Sequence, residues 1–131
     1  MIAASRELRC LIVDDSPEFR DAASAMLERA GMCVVAKASN SAEALRYYDD
    51  FRPDVALVDI ELGGEDGFEL ARQLHQIGSA HNLAVILVST YAESDLEEMI
   101  AESPAVGFLQ KFVLSPDAIR GLLKVTGTQG R

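Results

Sequence analysis

Five polar residues of this sequence stand at the ends of apolar runs and could act together. Asp14 and Asp15 come directly after one run, and Asp59 is the last residue of another. Ser89 and Lys111 follow two further apolar stretches. Three crowded carboxylates repel one another and stay ionised only where a cation lies among them, and oxygen ligands suit Mg²⁺. A carboxylate nucleophile, a divalent cation and one lysine are sufficient for phosphoryl transfer.

The apolar runs predict five buried strands that would carry these residues to one edge of a sheet. The predicted strands cover residues 10–13, 33–36, 55–59, 84–88 and 106–110. Apolar residues at helical spacing predict five helices, one after each strand, with start signals at Ser16, Asn40 (with Glu43), Ser94 (with Glu97) and Ser115. Such alternation predicts parallel strands, right-handed crossovers and helices on both faces. Ligands of open α/β folds bind at the carboxyl ends of these strands.

The acidic composition limits the classes of partner. The chain has 131 residues and a formal net charge of -9, which argues against a general electrostatic grip on nucleic acid or on an anionic membrane. This length and a hydrophobic content of 49% predict one domain with its own core. No segment resembles a signal peptide or approaches the roughly 20 apolar residues of a membrane span, so we expect a cytoplasmic protein. Cys10 and Cys33 lack metal-ligand spacing and are expected to be buried free thiols.

The order of the polar residues along the chain resembles a known family. An acidic pair after the first strand, an aspartate ending the third, a serine after the fourth and a lysine after the fifth are similar to the receiver domain of two-component response regulators. The resemblance extends from about residue 8 to residue 124. It implies a doubly wound, flavodoxin-like α/β fold, with a five-stranded parallel sheet in the order 2-1-3-4-5 and five helices. We therefore expect a receiver domain in residues 1–125, and in residues 126–131 a polar tail or the start of a linker.

The resemblance implies a role for each acidic residue and for the lysine. Asp59 would accept a phosphoryl group from a phosphohistidine of a sensor histidine kinase. Asp15 and Asp59 would bind Mg²⁺ directly, together with the backbone carbonyl of Glu61. Lys111 would pair first with Asp59 and then with the phosphoryl group, and Asp14 would act mainly through a metal-bound water. Such a domain is not an enzyme for other substrates, since it catalyses only its own phosphorylation and dephosphorylation.

Ser89 and Phe108 would couple phosphorylation to a change of surface. The resemblance implies that Ser89 hydrogen-bonds a phosphoryl oxygen and that its movement opens space for Phe108 to swing inward. A bias of a few kcal/mol is enough to shift a two-state domain from mostly off to mostly on. The output implied is transcription, with DNA contacted only through an output domain that is not part of this chain. A homodimer is a further partner that the family implies.

Two positions depart from the family pattern. Phe112 follows Lys111 where the family commonly has proline. Because a cis bond before a residue other than proline costs roughly 3 kcal/mol, we expect a trans bond and a differently shaped loop. Gly63 stands where a proline is frequent, which predicts a looser loop after Asp59. Residues 111–117 are similar to receivers attached to LuxR-type helix-turn-helix domains, which favours a linker at the end of the chain.

Other functions fit parts of the pattern. The main alternative is a receiver-like interaction module that binds a partner without phosphorylation. A Mg²⁺-dependent phosphatase of related architecture would require a cap domain and a second acidic catalyst two residues after the nucleophile, where Glu61 stands. No segment is long enough to be a cap. Taken singly, Asp14 and Asp15 could be a helix-capping turn, and Asp59 a carboxylate at a strand end.

Overall fold

The computed structural model describes residues 7–127, and strands and helices alternate along them. The strands are β1 (Arg9–Val13), β2 (Cys33–Ala38), β3 (Val55–Asp59), β4 (Glu61–Leu62), β5 (Glu65–Asp66), β6 (Ala84–Ser89) and β7 (Gly107–Gln110). The helices are α1 (Pro17–Arg29), α2 (Ser41–Phe51), α3 (Gly67–Gly78), α4 (Glu97–Glu102) and α5 (Pro116–Gly127). Three 3₁₀ turns cover Ser79–His81, Glu93–Asp95 and Lys111–Val113. Helix α5 includes the first two residues of the predicted tail, and residues 128–131 of that tail lie outside the described part.

Five of the strands form one parallel sheet in the order β2-β1-β3-β6-β7. Counted without the short β4 and β5, this is the predicted order 2-1-3-4-5, and the predicted doubly wound fold is confirmed. The central strand β3 is buried along its whole length, because β1 and β6 pair with it and helices cover both faces. All five carboxyl ends therefore lie at one edge of the sheet.

Two hydrophobic clusters hold the helices against the sheet. Helices α2 and α3 cover one face, together with partly buried residues of α4, and helices α1 and α5 cover the other. The larger side chains of the first cluster include Leu11, Tyr48, Phe68, Leu74, Leu87 and Phe108. Those of the second include Ile12, Leu27, Met32, Leu57, Ile86 and Ile119. Along β1, β3 and β6, alternate residues enter opposite clusters, as the two-residue period of a strand requires.

Three predicted helix starts are confirmed, and one is wrong. The Ser115 hydroxyl, directly before α5, accepts a hydrogen bond from the Ala118 N–H (3.0 Å). The Ser16 hydroxyl accepts a hydrogen bond from the Phe19 N–H (3.2 Å), and Asn40 Oδ1 accepts one from the Glu43 N–H (2.9 Å). Ser94 instead lies in a 3₁₀ turn, and α4 begins three residues later without a side-chain cap. Leu96, with φ -127° and ψ 13°, interrupts the helical path between the two.

The loop after Asp59 is an antiparallel hairpin, so the predicted looser loop is wrong. Strands β4 and β5 pair as Glu61 with Asp66 and as Leu62 with Glu65. The two turn residues are Gly63 and Gly64, both with positive φ (58° and 94°). A two-residue turn with positive φ at both positions matches the twist of the strands that it joins, and glycine adopts it without strain.

Three smaller expectations also have an outcome. The bond between Lys111 and Phe112 is trans as predicted, since no peptide bond of residues 7–127 is cis. The loop there is a 3₁₀ turn in which Phe112 is 77% exposed. Cys10 and Cys33 are free thiols, but only Cys10 is fully buried and Cys33 is half-buried. None of the helices within residues 7–127 has the length and hydropathy needed to cross a membrane.

Candidate functional site

Three aspartates meet at the carboxyl edge of the sheet. Asp14 directly follows β1, and Asp59 is the last residue of the neighbouring strand β3. One carboxylate oxygen from each of Asp14, Asp15 and Asp59 lies within 4.8 Å of the other two. Asp14 and Asp59 are buried, with exposed fractions of 0% and 5%, whereas Asp15 is exposed. The structure therefore brings together the three carboxylates that the sequence pattern selected.

Backbone contacts fix Asp14 in the loop between β1 and α1. Its Oδ1 accepts the Ser16 N–H (2.9 Å), and its own N–H donates to the Ala38 carbonyl (3.0 Å) at the end of β2. The Arg20 guanidinium donates from Nη1 to the Asp14 carbonyl oxygen (2.7 Å). Sequence reasoning missed Arg20, because nothing in its spacing shows that a helix residue reaches back to this loop.

Lys111 lies among the carboxylates and beside an aromatic ring. Its Nζ is 2.6 Å from Asp14 Oδ2 and 3.4 Å from Asp59 Oδ2. The same nitrogen lies 4.5 Å from the centroid of the Phe19 ring, a cation–π contact. Burial lowers the pKa of Lys111, but the hydrogen bond to Asp14 and the charges of Asp59 and Asp14 outweigh it and raise that pKa. Lys111 is therefore a firmly charged ammonium group, and Phe19 is a second residue that sequence reasoning missed.

Asp59 is held in an unfavourable environment for its charge. Burial raises the pKa of Asp59 to about 6, and the nearby Asp14 carboxylate acts in the same direction. The Glu61 N–H, which donates to Asp59 Oδ1 (3.1 Å), and the Lys111 ammonium oppose this rise. One lysine does not balance the carboxylates, so the site favours a further positive charge.

A cavity of about 710 Å³ opens beside Asp59. Asp15 and Asp59 of the acidic cluster (Asp14, Asp15 and Asp59) form one wall, and the β4–β5 hairpin forms another. The lining residues are Asp15, Asp59, Ile60, Glu61, Gly63, Gly64, Glu65, Asp66, Thr90 and Lys111. Although Asp59 is nearly buried, its side chain can therefore be reached from this cavity.

Comparison of the sequence with known protein families agrees with this fold and this site. Residues 10–124 match the family model of the response regulator receiver domain. The chain belongs to this family. Receiver domains are signalling domains, and the doubly wound sheet with an acidic site at its carboxyl edge is their architecture.

Relatives of the receiver include short and long proteins. The chain is 32% identical over 118 residues to sporulation initiation phosphotransferase F of Bacillus subtilis, which covers 88% of this chain and 90% of the relative. A CheY-like receiver domain protein from Methanospirillum hungatei superposes with a TM-score of 0.75 at 26% identity, covering 92% of this chain and 94% of that one. The positive alginate biosynthesis regulatory protein of Pseudomonas aeruginosa is 34% identical over 121 residues, but the receiver spans only 47% of its length. The receiver spans 18% and 49% of two further curated relatives.

Ser89 lies at the end of β6 and Phe108 in β7, and neither lines the cavity. Ser89 ends β6 with 1% of its surface exposed, and its Oγ accepts the Tyr91 N–H (3.0 Å). A hydroxyl that accepts one hydrogen bond still has a proton to donate. Phe108 is 7% exposed in the first core cluster and lies opposite Leu87 in the sheet. Thr90, which the sequence pattern did not select, lines the cavity in place of Ser89.

The oxygen atoms of this site fit Mg²⁺. The carboxylates of Asp14, Asp15 and Asp59 present a donor set without sulfur or imidazole, which is the set that hard cations prefer. A divalent cation among them would also offset the loss of hydration that burial imposes on the Asp59 carboxylate and its repulsion by Asp14. The receiver family binds Mg²⁺ at such an acidic pocket in general.

Proposed function

We propose that this receiver is a phosphorylatable switch in which Asp59 accepts a phosphoryl group from a phosphohistidine of a sensor histidine kinase. The observation that carries the proposal is the meeting of three carboxylates and Lys111 beside an accessible cavity, which Asp15, Asp59 and Lys111 line. Phosphoryl transfer requires mainly positioning and charge neutralisation, and these residues supply both.

Asp59 is the nucleophile of the proposed reaction. One of its carboxylate oxygens forms a bond to phosphorus while the bond between phosphorus and the histidine nitrogen of the kinase breaks. The electron pair of that bond stays on the imidazole, which takes up a proton from solvent. The Glu61 N–H holds Asp59 Oδ1 in place. Asp59 Oδ2 faces Lys111, whose ammonium group neutralises charge on the phosphoryl oxygens.

Asp14, Asp15, Asp59 and the backbone carbonyl of Glu61 would hold Mg²⁺ in this proposal. When bound, Mg²⁺ supplies positive charge to the phosphoryl oxygens and to the crowded carboxylates. Lys111 holds Asp14 and Asp59 together from the other side, which keeps the nucleophile oriented in the absence of a donor. The receiver thus catalyses its own phosphorylation and dephosphorylation and no other reaction.

The signal would leave the site through Ser89 and Phe108. Once Asp59 carries a phosphoryl group, the Ser89 hydroxyl donates to one of its oxygens, and the change around β6 alters the packing of Phe108 and of α4 beside it. Helix α4 contains no buried residue, so its position responds to small changes in the core. We propose that this surface controls transcription through a DNA-binding domain or a partner outside the chain. The receiver would act in the cytoplasm and could form a homodimer.

Incubation with acetyl phosphate and MgCl₂ tests the proposal. Intact-protein mass spectrometry should show one added phosphoryl group on the wild type and none when Mg²⁺ is chelated. Asp59→Asn should remain unlabelled, and Asp50→Asn, an exposed carboxylate at the end of α2, is a matched control that should be labelled like the wild type. An unlabelled wild type under saturating conditions would leave the phosphorylation-independent interaction module as the better description.

A further inference from the structure

The hairpin beside the acidic site is fastened to a neighbouring helix. The Ser41 N–H donates a hydrogen bond of 2.8 Å to Glu65 Oε1. Ser41 is the first residue of α2, where a backbone N–H lacks an intrahelical acceptor. A carboxylate at this position is also favoured by the positive end of the helix dipole. Glu65 therefore joins β5 to the start of α2.

The same hairpin carries a residue of the proposed Mg²⁺ site. Glu61, whose backbone carbonyl is the proposed ligand, lies in β4 and pairs with Asp66 of β5. Glu65 is the residue next to Asp66 and pairs with Leu62. Two strands of two residues each are too short to hold their position by themselves. The position of the Glu61 carbonyl therefore depends on what fastens the hairpin.

The turn of the hairpin lies against a second proposed ligand. A Cβ placed on Gly63 would lie 3.2 Å from Asp15 Oδ2, closer than an ordinary van der Waals contact, so the turn lies directly against this carboxylate. A shift of the hairpin would change the space around Asp15 as well as the position of Glu61. The fastening point at Glu65 thus affects two members of the donor set.

We propose that Glu65 is a positioning residue for Mg²⁺ binding. By accepting the Ser41 N–H, its carboxylate holds the hairpin in the position that presents the Glu61 carbonyl to the acidic cluster. Glu65 acts through the hairpin and is not itself a ligand. The inference rests on the proposed function, since it assumes that the cluster holds Mg²⁺.

Calorimetric titration with MgCl₂ tests this role directly, without any phosphodonor. We expect Glu65→Ala to weaken Mg²⁺ binding about tenfold, the lower end of what is typical for groups that orient metal ligands. Glu65→Gln keeps a side-chain oxygen that accepts the Ser41 N–H, so it should recover most of the affinity. The matched control is Glu28→Ala, which removes the same charge from an exposed position near the end of α1 and should bind Mg²⁺ like the wild type.

Two further readouts separate positioning from a loss of structure. Hydrogen exchange at the Ser41 amide should be faster in Glu65→Ala than in Glu65→Gln, with similar melting temperatures for both. Labelling by acetyl phosphate in Glu65→Ala should need about tenfold more MgCl₂ for its half-maximal rate, and the rate at saturating MgCl₂ should be unchanged.

Each contrary result has a definite meaning. Wild-type Mg²⁺ affinity in Glu65→Ala would overturn the proposal. Equal weakening by Glu65→Gln and Glu65→Ala would also overturn it, because the loss of charge and not of the hydrogen bond would then explain the weaker binding. A wild type that binds Mg²⁺ but is never labelled would contradict the proposed phosphorylation. The calorimetric comparison would still decide the role of Glu65 in that case. A wild type that does not bind Mg²⁺ would end both.

Discussion

The amino and carboxyl ends of the parallel strands both carry charged residues, but the charges are paired at the amino ends and unbalanced at the carboxyl ends. At the amino ends, the Arg9 N–H donates to Asp54 Oδ2 (2.9 Å), and the Asp54 N–H donates back to the Arg9 carbonyl (2.8 Å). The Arg9 guanidinium donates to the Arg52 carbonyl (2.8 Å), and Arg52 pairs with Asp49. Each of these charges has a partner of opposite sign or a backbone group, and together they fasten the strand starts.

At the carboxyl ends, one oxygen from each of three carboxylates lies within 4.8 Å of the other two, and two of these carboxylates, Asp14 and Asp59, share the ammonium group of Lys111. This excess of negative charge disfavours folding of the free protein and favours binding of a cation and of a phosphoryl group. At one end of the sheet the charges are paired and stabilise the fold, whereas at the other end an excess of negative charge opposes folding unless a cation binds there. Variants that change the two ends in the same way can test that difference.

The largest effect is expected at the two ends of α3. A Cβ at Gly67, at the carboxyl edge, would overlap the backbone carbonyl oxygen of Asp59, whereas a Cβ at Gly78, at the amino edge, would lie 2.7 Å from both Cβ and Cδ2 of Leu83. The overlap at Gly67 is closer and involves the main chain of a central strand, so we expect Gly67→Ala to lower the free energy of unfolding by about 4 kcal/mol and Gly78→Ala by about 1–2 kcal/mol. Urea unfolding measures both. Equal losses would show that the two edges are packed with the same tolerance.

The next largest effect is expected from removing a cation at each edge. Lys111→Met leaves Asp14 and Asp59 without their shared ammonium group, and breaking a buried ion pair by removing one partner costs about 3 kcal/mol or more. Arg9→Met removes a cation whose side-chain hydrogen bond is exposed, so its cost should stay below about 1 kcal/mol. Thermal and urea unfolding in the presence of a chelator compares the two. A larger loss of unfolding free energy in Arg9→Met than in Lys111→Met would contradict the proposed difference between the two edges.

The sequence was sufficient to predict why the acidic site forms. Buried runs that alternate with amphipathic helices imply parallel strands, and the carboxyl ends of parallel strands share one edge. Asp14, Asp59 and Lys111 therefore had to approach one another once the strand order followed from the family resemblance. Hydrophobic patterning encodes the alternation of strands and helices, whereas the strand order came only from the family resemblance.

The side-chain contacts around the site could not be predicted from the sequence in the same way. The reach of Arg20 to the Asp14 carbonyl and the position of Phe19 under Lys111 depend on side-chain directions that no local pattern encodes. The hairpin did have a signal, since two adjacent glycines between short polar segments are typical of a two-residue turn. At Ser94 the sequence did contain a helix-start pattern, but the chain forms a 3₁₀ turn there and the helix begins three residues later.

Asp59→Asn should stabilise the fold while it abolishes phosphorylation. The pKa of Asp59 rises from 3.8 to about 6 on folding, so the ionised group opposes folding. This cost is absent below about pH 4, where the acid is protonated in both states, and is fully developed above about pH 6. We expect Asp59→Asn to raise the free energy of unfolding by about 2 kcal/mol near pH 7 in a chelator, and by little near pH 4. Urea unfolding across this range checks the window, and lower stability at neutral pH would show that Lys111 already balances the cluster.

The smallest effect, on thiol reactivity, tests whether the amino ends stay closed. Burial raises the pKa of Cys10, near the start of β1, to about 12, and the charges of Asp54 and Cys33 add to this rise. Only the thiolate reacts with an alkylating reagent, so native protein at about pH 8 should be modified at Cys33 and not at Cys10. Peptide mass spectrometry identifies the modified residue, and denatured protein, in which both thiols react, is the control. Because Cys10 can react only if the strand opens, equal rates at the two thiols would mean that the amino ends open readily, and the contrast with the accessible carboxyl edge would disappear.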